Sequence, residues 1–258
     1  MLWVTLLLAA VCAVLSSCND DTGSSAQPPA GGNGSAAAGG GGTGGSVAWG
    51  GFGGSAGAPQ GGSGGVGGSS EPTTCTLVAH IGDSLTYYTE DDLTAAYLLV
   101  GITAQIDAYG GRAIFQKLPD DPRTGEQAAI AIREDGFDGC WVVALGTNDT
   151  ANVAAGAWYT RGEAIDAMMT AIDPGATARV LWVNTYTELD TGYWSNDNMI
   201  LWNQALVEAQ TRWSNLRIFD WAAIAATDQA PFVDGIHHTT AGYAVRNAAI
   251  AQAVIDLL

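Results

Sequence analysis

Five short apolar runs, separated by stretches of helical periodicity, constrain this chain more than anything else in it. The runs are Thr76–Ile81, Ile102–Ala108, Trp141–Leu145, Val180–Asn184 and Leu216–Phe219. Each has the length of a strand. Trp141-Val142-Val143-Ala144-Leu145 is apolar without a break, as a parallel strand covered on both faces must be. Between the runs, Ile165, Met168, Met169 and Ile172 recur at the spacing of one helix face, and Trp202, Leu206, Ala209 and Trp213 mark another. A last helix is expected to bury Ala244, Ala248, Ala251, Ile255 and Leu258, with Arg246 on the opposite side. Strand–helix alternation over five repeats predicts an α/β fold: a three-layer, doubly wound sandwich around a five-stranded parallel sheet.

In such sheets ligands bind beyond the carboxyl ends of the strands, so the residues that follow each run carry the functional information. Gly82-Asp83-Ser84 follows the first run and Tyr109-Gly110-Gly111-Arg112 the second. Gly146-Thr147-Asn148-Asp149 follows the third, and Asp234-Gly235-Ile236-His237-His238 lies past a loop after the fifth. Taken singly, each block reads as an ordinary turn or helix start. Ser84 itself reads either as a nucleophile projected at a strand-to-helix turn or as an N-cap. The combination is more specific. Acyl transfer needs a nucleophile, a base, a group that orients the base, and donors for the developing oxyanion, and this edge supplies a candidate for each.

The four blocks, in this order and spacing, resemble the SGNH/GDSL hydrolase superfamily over essentially all of 75–258. The resemblance implies a flavodoxin-like fold and serine-hydrolase chemistry without a cofactor. It makes Ser84 the nucleophile, His237 the base and Asp234, three residues earlier, the partner that orients it. The oxyanion hole would be the backbone N–H of Ser84, the N–H of Gly111 (Gly110 being the alternative) and the side-chain amide of Asn148. The second histidine, His238, should point away from Ser84, because neighbours in extended chain face opposite ways. His80, inside the first strand, reads as a core or helix-facing residue. Two Gly-x-Ser-x-Gly matches, Gly53–Gly57 and Gly61–Gly65, follow no strand and are products of composition.

Cys75 precedes Gly82 by seven residues and Cys140 precedes Gly146 by six, so both sit at the amino ends of their strands. In a 2-1-3-4-5 strand order these strands are neighbours, at a spacing compatible with a disulfide between Cys75 and Cys140. The long segment Thr185–Asn198 carries Tyr186, Tyr193 and Trp194 and opens near the same edge, which makes these three candidate substrate contacts. No metal site is expected, since Asp234, His237 and His238 lack a further ligand cluster.

The remaining sequence speaks to location. Residues 1–17 read as a secretory signal peptide, too short to span a bilayer. No Lys or Arg precedes the apolar run, so a start codon further upstream is expected. Leu15-Ser16-Ser17-Cys18 resembles a lipoprotein lipobox, which predicts cleavage before Cys18, its lipidation and a membrane anchor; simple secretion is the alternative. Residues 18–74, rich in Gly, Ser and Ala, read as a flexible linker reaching roughly 40 Å. The formal net charge of −17, with nine Lys+Arg, excludes phosphate backbones as partners and disfavours anionic substrates. Three functions fit: an esterase acting on a small-molecule or glycan ester, an acyltransferase acting on cell-envelope polysaccharide, and a non-catalytic carbohydrate-binding module. The sequence leaves the oligomeric state unspecified.

Overall fold

The computed structural model describes residues 74–258; the expected signal peptide, Cys18 and all but the end of the linker lie outside the described residues. The described chain runs β1 (Leu77–Gly82), α1 (Ser84–Tyr87), α2 (Glu90–Leu99), β2 (Thr103–Ala108), α3 (Gly125–Glu134) and β3 (Cys140–Ala144). It continues with α4 (Thr147–Ala154), α5 (Arg161–Ile172), β4 (Val180–Val183), α6 (Asn196–Ala209), β5 (Leu216–Phe219), α7 (Trp221–Ala225) and α8 (Thr240–Leu257). All strand pairs are parallel, in the order β2-β1-β3-β4-β5. This is the expected 2-1-3-4-5 sheet, with its strands close to the expected runs.

Alternate residues of each strand feed two cores. Ala79, Ile81, Trp141, Val143, Val180 and Trp182 face α3, α5 and α6. Val78, Val142, Ala144, Leu181 and Val183 face α2, α7 and α8. Burial on both faces is why β3 and β4 are apolar throughout and why β1 carries a single polar side chain, the buried His80. The cores contain the large rings: Trp141, Trp182, Trp202 and Trp221 are all fully buried. Two helices of the first face, α3 and α5, begin with full capping boxes, Thr124 with Gln127 and Thr160 with Glu163, which satisfy N–H groups that helix geometry leaves unpaired. A disulfide joins Cys75 to Cys140, with 5.8 Å between their Cα atoms. It ties β1 to β3 at the end of the sheet opposite Ser84.

One helix face differs from expectation. Along α8 the buried residues are Gly242, Arg246, Asn247, Ile250, Ala251, Ala253 and Val254, while Ala244, Ala248 and Ile255 are exposed. The helix is turned because Arg246 has work inside the protein: its Nη1 donates to the Leu85 carbonyl at 3.1 Å, and its charge faces the buried Asp83. A guanidinium with partners can be buried, and an alanine loses little by exposure.

Candidate active site

The first piece of the site is the turn after β1. Asp83, not Ser84, is the N-cap of α1: its Oδ1 accepts from the Leu85 N–H at 3.0 Å. The Thr86 and Tyr87 N–H groups bond to the Asp83 carbonyl. Ser84 is left as the first helical residue, half-buried, with its own N–H uncommitted among the described residues. Such a leading N–H has no intrahelical acceptor and points out of the helix end. Burial raises the Asp83 carboxyl above its usual range, while Arg246 and the Leu85 N–H bond counter part of that shift.

The segment Asp234–His237 supplies the second piece. Asp234 Oδ1 accepts from the backbone N–H of Ile236 at 2.9 Å and of His237 at 2.6 Å. Its Oδ2 is 2.7 Å from His237 Nδ1, and His237 Nε2 is 3.0 Å from Ser84 Oγ. Burial pushes the Asp234 carboxyl up, but the bonds from His237 and Ile236 outweigh it, so the group is held below its ordinary value and ionised. An ionised carboxylate only accepts; it therefore fixes the imidazole proton on Nδ1 and leaves Nε2 to accept from the Ser84 hydroxyl.

The second and third blocks meet beside Ser84's turn. Tyr109 N–H bonds to the Gly82 carbonyl, and Arg112 N–H closes a turn onto the Tyr109 carbonyl, with Gly110 and Gly111 at its corners. Gly111 has φ of +76°, a conformation that side chains resist. Neither glycine N–H has an intramolecular acceptor among the described residues. Arg112 anchors the turn from beneath. It is buried, forks onto both Asp121 oxygens at 3.1 Å, and donates to Asp107 Oδ1 at 2.7 Å. Asn148, in the first turn of α4, donates from Nδ2 to the Arg112 carbonyl at 3.1 Å, which fixes the amide and leaves its second N–H free. Gly146 makes that helix start possible: its φ is +135°, and a Cβ there would lie 2.3 Å from the Trp202 indole nitrogen.

The other histidines are structural. His238 turns inward as expected, stacking with Trp221 and Phe232 while its Nδ1 meets the Ala230 carbonyl at 3.3 Å; burial, then the Arg246 charge, lowers its pKa to about 4. His80 bonds to Tyr97 Oη at 2.9 Å and Thr86 Oγ1 at 3.2 Å under α2, and burial followed by the same arginine holds it neutral, near 3. Among the described residues no three His, Cys, Asp or Glu side chains gather around a point that could hold a metal ion.

The three aromatic candidates of the long loop divide. Tyr186 is half-buried and packs on Phe232 at 5.9 Å, within the second core. Tyr193 is exposed, and Trp194 accepts a bond from Thr187 through its carbonyl. This loop braces the histidine segment, through the Glu188 N–H bond to the Gly235 carbonyl at 2.8 Å. Among the aromatic pairs of the described residues, the ring that meets His237 is Tyr88, at 5.7 Å between centroids. In the sequence Tyr88 is hidden within a polar helix start. The signal was its spacing: residues 84 and 88, four apart at a helical turn, share a face.

No protein-family model matches the chain, and no curated protein does. Solved structures are similar in fold. An aryl esterase of M. smegmatis, in an inhibitor-bound form, is 18% identical, covering 71% of this chain and 100% of that one at a TM-score of 0.55. The carbohydrate acetylesterase Est24 of Sinorhizobium meliloti is 19% identical over 70% of this chain and 99% of its own, at 0.54. The C-terminal catalytic domain of the Streptococcus pneumoniae peptidoglycan O-acetyltransferase A is 17% identical over 70% and 93%, at 0.51. The five-stranded sheet and its helices thus have the fold of SGNH-type esterases, acylhydrolases and an acetyltransferase domain.

Proposed function

We propose that the chain is a serine esterase that hydrolyses short-chain acyl esters through Ser84, His237 and Asp234. The observation that supports it best is the unbroken line of Ser84 Oγ, His237 and Asp234, with gaps of 3.0 and 2.7 Å, built from residues 153 apart in sequence. His237 Nε2 takes the hydroxyl proton as Ser84 Oγ attacks the ester carbonyl. Asp234 stabilises the imidazolium that forms. The carbonyl oxygen becomes an oxyanion, for which the free N–H groups of Ser84, Gly111 and Asn148 are the available donors. His237 then protonates the leaving alcohol. Water, activated by the same imidazole, releases the acid from Ser84.

Transfer of the acyl group to a sugar hydroxyl in place of water is the second reading, favoured by the acetyltransferase domain among the similar folds and by the partial exposure of His237. We further propose export, with Cys18 lipidated and 18–74 acting as the tether. Labelling with a radioactive fatty acid, lost in Cys18→Ser, is the expected result.

Hydrolysis of 4-nitrophenyl acetate tests the main reading. Ser84→Ala should abolish it, and a sulfonyl fluoride should leave its sulfonyl group on Ser84 alone, with loss of HF. Asn148→Ala should fold and lose about 10²–10³ in kcat. Wild-type rates from Ser84→Ala would overturn the assignment. Acetate released from an acetylated glycan, with and without an added sugar acceptor, separates hydrolysis from transfer.

A further inference from the structure

The aromatic ring against His237 does not stand alone. Tyr88 meets the imidazole at 74°, Tyr87 meets Tyr88 at 5.6 Å, and Tyr109 meets Tyr87 at 5.7 Å. The three rings form one surface that starts at the imidazole and runs outward over the rim. Tyr88 is 57% exposed and Tyr87 46%. Rings this open contribute little to a core, and contiguous exposed aromatic surface marks a place where something binds.

Its position says which part of a substrate would lie there. On the esterase reading, His237 must hand its proton to the departing alkoxide, so the alcohol half of the ester sits against the imidazole. Tyr88 borders that space. Its hydroxyl also reaches toward the glycine turn, 4.0 Å from where a Cβ on Gly110 would stand. The surface therefore lies on the alcohol side, between the base and the turn that carries Gly111.

The charges around it narrow the chemistry. Glu90 is raised by partial burial and then by the like charges of Asp91 and Asp107; the Tyr109 hydroxyl is raised by burial and then by Asp120 and Asp121. Of these carboxylates Asp107 and Asp121 are taken up by Arg112, which leaves Glu90 and the exposed Asp120 near the rings, and in a chain of net charge −17 an anionic alcohol is repelled. Carboxylates are acceptors that a simple alkyl or aryl alcohol cannot use. A neutral sugar uses both features: the C–H face of the ring lies on tyrosine, and its hydroxyls can donate to Glu90 and Asp120.

We propose that Tyr87, Tyr88 and Tyr109 form the alcohol-side subsite and that its occupant is a neutral pyranose ring bearing the acyl ester. The inference rests on the esterase reading only for its orientation; binding itself can be measured with the chemistry switched off.

The test uses the Ser84→Ala protein titrated calorimetrically with a neutral O-acetylated xylo-oligosaccharide. Adding Tyr87→Ala or Tyr109→Ala should weaken binding about five- to tenfold each, the order expected for one lost aromatic contact, and Tyr87→Phe should restore it. An oligogalacturonate of equal length should bind at least tenfold more weakly. Binding that ignores Tyr87 and Tyr109, or that survives them but falls with Trp158→Ala, the exposed ring stacked on Phe115, overturns the subsite. Equal affinity for the anionic sugar, or displacement by phenyl acetate at similar concentration, overturns its occupant. Failure of the esterase reading would show separately, as wild-type protein that binds the sugar and does not turn over 4-nitrophenyl acetate.

Discussion

Reducing the Cys75–Cys140 bond should cost the domain about 4 kcal/mol of stability and little of its rim geometry. The bond closes a loop with a sequence separation of 65 residues. In the chain-entropy treatment a loop of that length removes about 14 cal/mol/K from the unfolded ensemble, or about 4 kcal/mol at 25 °C. For a domain of this size each kcal/mol moves the melting temperature roughly 2–4 °C, so loss of the cross-link should lower it by roughly 8–16 °C. Both cysteines are buried, so substitution would add a packing loss to the cross-link term. Reduced wild-type protein avoids this, because the sulfurs stay in place. The assay is calorimetry of oxidised and reduced protein, with intact mass to establish the two-dalton difference. The bond lies at the amino ends of β1 and β3, and Ser84 and Asn148 follow their carboxyl ends, so esterase activity well below the melting point should persist. A melting temperature that moves by less than about 2 °C on verified reduction would refute the entropic argument, and an unchanged mass would refute the bond.

Two further changes probe buried charge. Burial, reinforced by the Asp83 charge against the bond from the Ile114 N–H, raises Asp149 to about 7. The folded state then holds this proton more tightly than the unfolded chain. Its contribution is therefore full below pH 4 and is lost as pH rises through 7, a fall of about 4 kcal/mol. Asp149→Asn, which keeps an acceptor for Ile114, should flatten that slope between urea midpoints at pH 4.5 and 8; parallel slopes would contradict it. Arg246→Met removes the donor to the Leu85 carbonyl and the positive charge facing Asp83, so it should destabilise by roughly 2–4 kcal/mol in urea. A loss below 0.5 kcal/mol would mean that the guanidinium is dispensable.

The strands were legible because double burial leaves β3 and β4 without a polar residue and β1 with His80 alone, and an apolar run of that length suits little besides a strand covered on both faces. The helix face with Ile165, Met168, Met169 and Ile172 was legible for a similar reason: all four side chains are large, and all four are buried. The last helix misled because alanine contrasts weakly between inside and outside, and because Arg246 was given the usual place of a charge. Ser84, Asp234 and His237 were singled out by the resemblance of their blocks, in order and spacing, to a known hydrolase pattern, and an Asp three residues before a His can turn back to it. Tyr88 could not be seen while its neighbours were read only as helix formers. The aromatics of 185–198 drew attention by loop length, a property that says where a chain can reach and not which way a ring faces.

A regularity of the rim connects these successes and failures. Ser84, Gly111, Asn148 and His237 are all half-buried, and each has a fully buried polar neighbour: Asp83, Arg112, Asp149 and His238. In a turn, a helix start or extended chain, adjacent side chains leave the backbone in different directions. One member of each pair can therefore face the rim only if the other faces the interior, and an interior polar group is stable only with partners. Asp83 caps α1, Arg112 grips Asp107 and Asp121, Asp149 holds the Ile114 N–H, and His238 bonds to the Ala230 carbonyl. The inward residue fixes the backbone, and the backbone aims the outward residue. Four loops from distant parts of the chain are thus each pinned one residue from the group they present. That is how a rim made of turns can hold distances near 3 Å, and why the interior partners belong to the same device.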